Sequence, residues 1–259
     1  MKWMTLNVLF GGQDRFDAIR ALVAAERPDL LVLQECLGWE DGARLGALAE
    51  AISVPADERH AVLGVANVRP SGRRYHVGLL SRAPLARARA HTENVAHCIV
   101  EAELELGGEP LVVLGTHLVA SDEGSRLPEV GELLRIAPPE ALRTGMYALA
   151  GDLNALTRRD PYPADLDDQL SRAGIHKYDH PPRFDVMDRL LAAGWIDALR
   201  ERPRSDRWVT ARRGRDGQVV DTRTDYVLLS PPLAQRLVTA EVVDVGSASD
   251  HHAVAVDLK

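Results

Sequence analysis

Short apolar runs recur along almost the whole chain, from "WMTLNVLF" (3–10) to "HAVAVDL" (252–258), and each stops abruptly at Gly, Pro or a polar residue. Runs of this length read as strands, because helices need ten or more residues of 3.6-fold periodicity. "LLVLQE" (30–35) follows the first, and the middle is strand-rich: "HAVLGVANV" (60–68), "YHVGLLS" (75–81), "HCIVEAELEL" (97–106) and "PLVVLGTHLV" (110–119). "IVEAELEL" alternates apolar residues with Glu, as a half-exposed antiparallel strand does. "MYALAGDLN", "TDYVLLS" (224–230) and "LVTAEVVDV" (237–245) complete the set. Helical patterns fall between them, from about Asp14 with Phe16, Ile19, Leu22 and Val23 on one face, over 41–52, and near 125–136 and 184–193. This mixture predicts an α/β protein of two mainly antiparallel sheets packed together, with helices outside. There is no internal repeat, heptad or low-complexity linker, so the expectation is a single domain over 1–259 without an accessory module.

With 46% hydrophobic residues the chain can bury a sizeable core, and 27% charged residues suit an ordinary polar surface. No apolar stretch approaches the roughly 20 residues of a bilayer span, and the first ten residues lack the pattern of a signal peptide. Cys36 and Cys98 form neither a CxxC pair nor a disulfide framework, which fits a reducing cytoplasm. A net charge of −7 argues against indiscriminate binding to nucleic acid, though not against a local basic groove. Of 31 basic residues only Lys2, Lys177 and Lys259 are lysines. Arginine suits bidentate phosphate contacts, but a general compositional bias towards arginine accounts for the same fact.

One strand end poses the functional question. "GDLN" (151–154) puts an acid and an amide two residues apart where an apolar run stops. Alone it reads as a turn, since Asp and Asn cap local backbone groups. Yet Asn7, Glu35, His117, Asp225 and the pair Asp250-His251 also stand at the ends of apolar runs that could deliver them to a common rim. Each has an ordinary reading of its own, as a bend, a solvated tip, a core histidine or a turn acid. Their company is what suggests chemistry. A phosphate ester is anionic and repels a nucleophile, so a cation and hydrogen-bond donors must neutralise the developing charge. Magnesium takes hard oxygen ligands and keeps several waters, so one or two carboxylates suffice. Asp152 and Asn154, at i and i+2, share a side if the chain stays extended.

In order, "TLNV", "LLVLQE", "VGLLSR", "LGTHL", "AGDLN", "RTDYVLLS" and "SDHHAV" resemble the endonuclease/exonuclease/phosphatase superfamily of metal-dependent phosphoesterases, over residues 5–254. The resemblance implies a four-layer α/β/β/α sandwich, DNase I-like, with the active site at one end of the paired sheets. It implies that Glu35 is the main Mg2+ ligand, with Mn2+ as a substitute, supported by Asn7 and Asp250. Asp152 would position or deprotonate the attacking water, and Asn154 would hold a phosphate oxygen. His251, oriented by Asp225, would touch the phosphate, and His117 would be a second donor. Arg223 of the R-x-D-Y motif is expected to be structural. Leu9 departs from the second Asp of some DNA-repair members, Thr224 replaces an aliphatic residue, and His252 is expected to face away.

The family fixes bond type better than substrate. Segment 202–223 holds seven Arg against three Asp, and its Arg212 and Arg213, with Arg73 and Arg74, form either a phosphate-binding wall or part of a solvated hairpin. Segment 157–183 balances five basic and five acidic residues and is long for a connection, so it is expected to cover or border the site. Its Tyr162, Tyr178, His176 and His180 are candidate contacts to a base or sugar. No basic stripe interleaved with aromatics and no membrane-inserting hairpin is present. The expected partner is therefore a small phosphorylated or nucleotide-type ester, with no obligate protein partner evident. A DNA or RNA nuclease is the alternative enzyme, and a non-catalytic binding or scaffold protein on the same fold is the alternative of another class.

Overall fold

The computed structural model describes residues 1–215 and 218–259; Asp216 and Gly217, inside the basic segment 202–223, lie outside the described residues. Strands β1 (Lys2–Asn7), β2 (Leu30–Gln34), β3 (Ala61–Gly64) and β4 (Val77–Ser81) come first. They are followed by β5 (Arg87–His91), β6 (Ile99–Leu106), β7 (Glu109–His117) and β8 (Met146–Asp152). The rest are β9 (Ile196–Asp197), β10 (Ala211–Arg215), β11 (Gln218–Thr222), β12 (Asp225–Leu229), β13 (Leu237–Val243) and β14 (Ala253–Leu258). Two six-stranded sheets result, in the orders β13–β14–β1–β2–β4–β3 and β5–β6–β7–β8–β12–β9, and β10 and β11 pair as a separate hairpin.

Each sheet contains one parallel pair, β1 with β2 and β7 with β8, among antiparallel neighbours. Parallel pairing brings the carboxyl ends of two strands to one edge. An antiparallel neighbour then begins where those strands finish. The registers pair Asn7 with Gln34, His117 with Asp152, and Asp152 with Asp225. Polar strand ends far apart in sequence are thereby neighbours on one rim.

Alternation along the strands sorts the apolar side chains into layers. Trp3, Val32 and Leu79 of the first sheet meet Val100, Val113, Ala148 and Val227 of the second in the central core. Met4, Leu6, Leu31 and Leu33 point the other way, onto α1 (Phe16–Glu26) and α2 (Ala43–Ala51). On the far side Leu114, Leu149 and Leu228 are covered by α3 (Glu123–Ile136), α4 (Pro139–Thr144) and, after α5 (Leu166–Arg172), by α6 (Asp185–Ala192). The order of layers is helices, sheet, sheet, helices. Among the described residues no helix is long and apolar enough to cross a membrane.

Several boundaries differ from the sequence expectation, each for a local reason. The first strand stops at Asn7 rather than residue 10, because Leu9 and Phe10 take left-handed backbone (φ 48° and 51°). Segment 157–183 is not a plain loop. It contains α5 and a small core of its own, in which Leu166, Leu170 and Tyr178 pack with Leu156 and with Val220 of the hairpin. Strand β5, "RARAH", is an edge strand with exposed arginines and carries little apolar signal.

Candidate active site

Glu35 follows β2 directly and is itself left-handed (φ 60°), a conformation that costs energy for a side-chain-bearing residue. The neighbourhood holds it there. Its Oε2 accepts the Phe10 N–H at 3.0 Å, and its carbonyl accepts the amides of Gly11 and Leu37. Asn7 lies between two acids: Nδ2 donates to Glu35 Oε1 and to Asp152 Oδ2, both at 3.1 Å, while Oδ1 accepts the Leu9 N–H. Asn7 thus binds the two carboxylates through its amide nitrogen in this arrangement.

"GDLN" is a turn and a site together. Asp152 Oδ1 accepts the Asn154 N–H at 2.9 Å, and Asn154 is left-handed (φ 50°), so the chain bends instead of staying extended. The bend, not strand alternation, brings both side chains to the rim. Asn154 Nδ2 then reaches His117 Nε2 at 3.1 Å and the Leu118 carbonyl at 2.9 Å, and its Oδ1 accepts from Lys177 Nζ at 2.7 Å. Since Asn154 donates to Nε2, the His117 proton sits on Nδ1, which is buried without a partner among the described residues. Burial alone would raise the pKa of Asp152, but His251, His117, Lys177 and Arg213 hold it below the usual carboxylate range.

His251 Nδ1 faces Asp225 Oδ2 at 2.8 Å, and both side chains are fully buried. Its Nε2 stands 3.8 Å from Asp152 Oδ2 and accepts from Arg213 Nη2 at 2.5 Å. Burial opposes a charge on this ring, but Asp225 and Asp152 outweigh it and carry the pKa up to about 9. A guanidinium donor needs an unprotonated Nε2. The Arg213 contact thus belongs to the neutral ring, and the same Nη2 stands 3.4 Å from Asp250 Oδ2. His252 turns outward to Arg207 and Asp244.

The rim opens into a cleft of about 720 Å3. Phe10, Arg69 and Tyr75 line one wall, and Ile175, His176 and Lys177 of the 157–183 segment line another, with Arg213 on the hairpin side. Of the four arginines expected to form a phosphate wall, only Arg213 lines the cleft. Arg212, the next residue along β10, pairs with Asp221 outside; Arg74 donates to the Ala66 carbonyl, and Arg73 lies over the Phe10 ring at 5.4 Å. Arg204 and Arg207 of the same basic segment are also bound to carboxylates, Glu241, Asp257 and Asp244, brought from the strands and loop that follow. Tyr178 is buried and Tyr162 packs against Trp208, whereas His176 reaches the cleft and bonds His180. Arg223 is wholly buried between Asp197 and Asp160, tying β12 to the 157–183 segment. Sequence reasoning did not single out Lys177, Arg69 or His97, whose ring stacks on His117 at 4.7 Å.

The donors suit a hard divalent cation. Glu35, Asp152, Asp225 and Asp250 gather four carboxylates at the rim, and Asp225 Oδ1 and Asp250 Oδ1 are buried oxygens without a hydrogen-bond partner. Asp152, Asp225 and His251 each offer a ligand atom within 4.8 Å of the others, although in this arrangement Asp225 and Arg213 occupy both nitrogens of the His251 ring.

Solved structures share this architecture. The 3'-5' exonuclease from Neisseria meningitidis is 22% identical, with TM-score 0.72 and full coverage of both chains. An AP endonuclease from Archaeoglobus fulgidus is 17% identical, with TM-score 0.70, covering 100% of this chain and 99% of that one. An endonuclease/exonuclease/phosphatase from Beutenbergia cavernae is 23% identical, with TM-score 0.63, covering 100% of this chain and 71% of that one. No curated protein matches by sequence. The family model for the endonuclease/exonuclease/phosphatase family matches residues 4–251, and with the rim of acids, amides and histidines in place the chain belongs to that family of phosphoester-cleaving enzymes.

Proposed function

We propose that this chain is a magnesium-dependent hydrolase of small phosphate esters, nucleotide-type substrates included, acting as one domain in the cytoplasm. The observation that carries the reading is that Glu35, Asp152, Asn154 and His117 line one cleft, with the buried His251–Asp225 pair set against Asp152. The free, buried Cys36 and Cys98 are in keeping with a reducing compartment. Mg2+, or Mn2+ in its place, would be held by Glu35 with Asp250 and would supply charge neutralisation at the phosphoryl oxygens and a more acidic bound water.

The chain's own groups do the rest. Asp152, kept ionised by the cations around it, accepts a hydrogen bond from the attacking water and aims it. On substrate binding the Asn154 amide N–H that now reaches His117 Nε2 turns to a phosphoryl oxygen, which frees that ring nitrogen. His251, held in one orientation by Asp225, donates from Nε2 once protonated, and Arg213 moves from that nitrogen onto the substrate. His117 presents a second ring at the leaving oxygen, and Asn7 keeps Glu35 and Asp152 at a fixed separation.

Hydrolysis of bis(4-nitrophenyl) phosphate and 4-nitrophenyl phosphate, with magnesium or with EDTA, tests this. Turnover should vanish in EDTA, fall about 100- to 10,000-fold in His251→Ala, and lose most of its magnesium activation in Glu35→Gln. Turnover that persists in EDTA and in His251→Ala would overturn the assignment. A nuclease reading is favoured by one observation, the shared fold with an exonuclease and an AP endonuclease. It predicts cleavage of oligonucleotides with binding that weakens steeply as salt rises, which a small-ester hydrolase does not show.

A further inference from the structure

Among the described residues two cations in the cleft form no ion pair, although Asp152 feels the charge of one and Glu129 that of the other. Lys177 is firmly placed: the fully buried Arg126 donates from Nη2 to its carbonyl at 2.6 Å, and also bonds the Val119 carbonyl and Glu123. Its ammonium contacts the Asn154 amide oxygen and lies 4.9 Å over the Tyr178 ring, and it has no ion pair among the described residues. Arg69 sits in a turn closed by hydrogen bonds to Arg73 and Gly72. Its guanidinium makes neither a hydrogen bond nor an ion pair among the described residues. It lines both the cleft and an adjoining recess of about 420 Å3. Glu129, the buried carboxylate on that side, is taken up by the amides of Ala96 and Val119.

Other arginines of this acidic chain do find acceptors: Arg204, Arg207 and Arg212 pair with carboxylates, and the half-buried Arg44 and Arg74 donate to backbone carbonyls. A half-buried cation left bare is costly unless a ligand completes it. In the proposed reaction one phosphoryl group would be met by His251, Arg213 and His117. Lys177 borders this place through the Asn154 amide, and Arg69 lines the same cleft near His97, whose ring stacks on His117.

We propose that the cleft is built for a substrate bearing a second phosphate, received by Lys177 and Arg69 on the His117 side of the reacting group. This rests on the proposed function for where the reacting phosphate lies. A phosphodiester monoanion does not require the two cations, whereas a diphosphate or bisphosphate brings the charge that balances them through charge-assisted hydrogen bonds. A second phosphate also occurs in a nucleic-acid strand, so the test separates the two sources.

Binding of inorganic phosphate, pyrophosphate and a single-stranded thymidine tetranucleotide is measured by calorimetry in EDTA, independently of turnover. Wild-type protein should bind pyrophosphate about tenfold or more tightly than phosphate, as one charged hydrogen bond gives. The preference should fall below about threefold in Lys177→Gln and in Arg69→Gln. It should survive in Lys177→Arg and in the control Arg236→Gln, whose partner Glu109 lies outside the cleft. If Lys177→Gln fails to fold, Arg69→Gln and Lys177→Arg carry the test. Equal binding of the two anions by wild type, or a preference that survives Arg69→Gln, overturns the proposal. Tighter binding of the tetranucleotide than of pyrophosphate, lost in Arg69→Gln, would assign the second phosphate to a strand instead of a small molecule. Failure of the hydrolysis assay with this pattern intact would count against the proposed reaction alone.

Discussion

Gly151 stands immediately before Asp152, and replacing it with alanine is the sharpest probe of how the fold positions the chemistry. Its φ is 152°, which side chains rarely adopt, and a Cβ there would lie 1.9 Å from the Thr116 carbonyl oxygen on β7. Two costs follow. The backbone conformation costs about 1–3 kcal/mol for a residue with a Cβ. Relieving the overlap means moving β8 from β7 by roughly 1 Å, and over-packing of this kind costs about 1–3 kcal/mol. Gly151→Ala should therefore lose about 2–6 kcal/mol of stability. The displaced strand end carries Asp152, registered against His117 and Asp225. A shift of about 1 Å in a catalytic group lowers turnover about 100-fold. Urea unfolding followed by fluorescence gives the first quantity, and hydrolysis of an activated phosphate ester by the still-folded fraction gives the second. Gly46→Ala is the control, since its Cβ would meet only Ala56 at 3.8 Å in helix α2, where alanine is the better helix former. If Gly151→Ala matched wild type within about 0.5 kcal/mol and kept its rate, the reasoning from strand proximity would be refuted.

The buried ion network makes a second prediction. Arg223→Met leaves Asp197 without its partner and Asp160 with only Arg200, so it should cost about 3–5 kcal/mol; a loss under about 1 kcal/mol in urea unfolding would refute that. Arg223→Lys should recover only part, because one ammonium cannot span both acids as the guanidinium fork does. The third concerns acid. Burial, with His117 and Arg69, pushes the His97 pKa down to about 2, against about 6.5 in the unfolded chain. The native state thus excludes a proton that the unfolded state binds. His97 contributes stability above pH 6.5 that is lost as pH falls towards 2, at about 1.4 kcal/mol per unit. Between pH 6.5 and 4.5 wild type should lose about 2–3 kcal/mol more than His97→Gln, and parallel pH slopes for the two proteins would refute the assignment.

How much of this was readable in advance depends on what each residue does. Asn7, Glu35, Asp152, Asp225 and His251 could be picked out because each stands at or beside one end of a buried strand, where an apolar run meeting a polar residue is visible in one dimension. Their mutual distances could not, because these depend on register: His117 opposite Asp152, and Asp152 opposite Asp225. The reason Asp152 and Asn154 share a side was also hidden. It is a left-handed bend capped by the Asp152 carboxylate, not an extended strand. Strand β5 escaped notice because an exposed edge strand of alternating arginine carries no apolar pattern.

Charge is where sequence reasoning misled most, and the reason is general. A count of basic residues weighs every arginine alike, but what a cleft offers a ligand is only the charge its own neighbours leave unpaired. The segment 202–223 looks strongly basic, yet among its described side chains only the Arg213 guanidinium lines the cleft, because Arg204, Arg207 and Arg223 are bound to acids brought from elsewhere and Arg212 to Asp221 of the same hairpin. The segment 157–183 looks neutral and delivers Lys177, because its acids pair away from the cleft, Asp160 with Arg223, Asp167 with His180 and Asp179 with Arg183. One signal did mark it. Lys2 and Lys259 lie at the two ends of the chain, so Lys177 is the lone interior lysine of a protein that otherwise uses arginine throughout. An ammonium is a compact point charge on a flexible stem, able to follow a mobile phosphate where a planar guanidinium would dictate its geometry. That difference gives a reason for a lysine at this one place, beside the Asn154 amide at the back of the cleft.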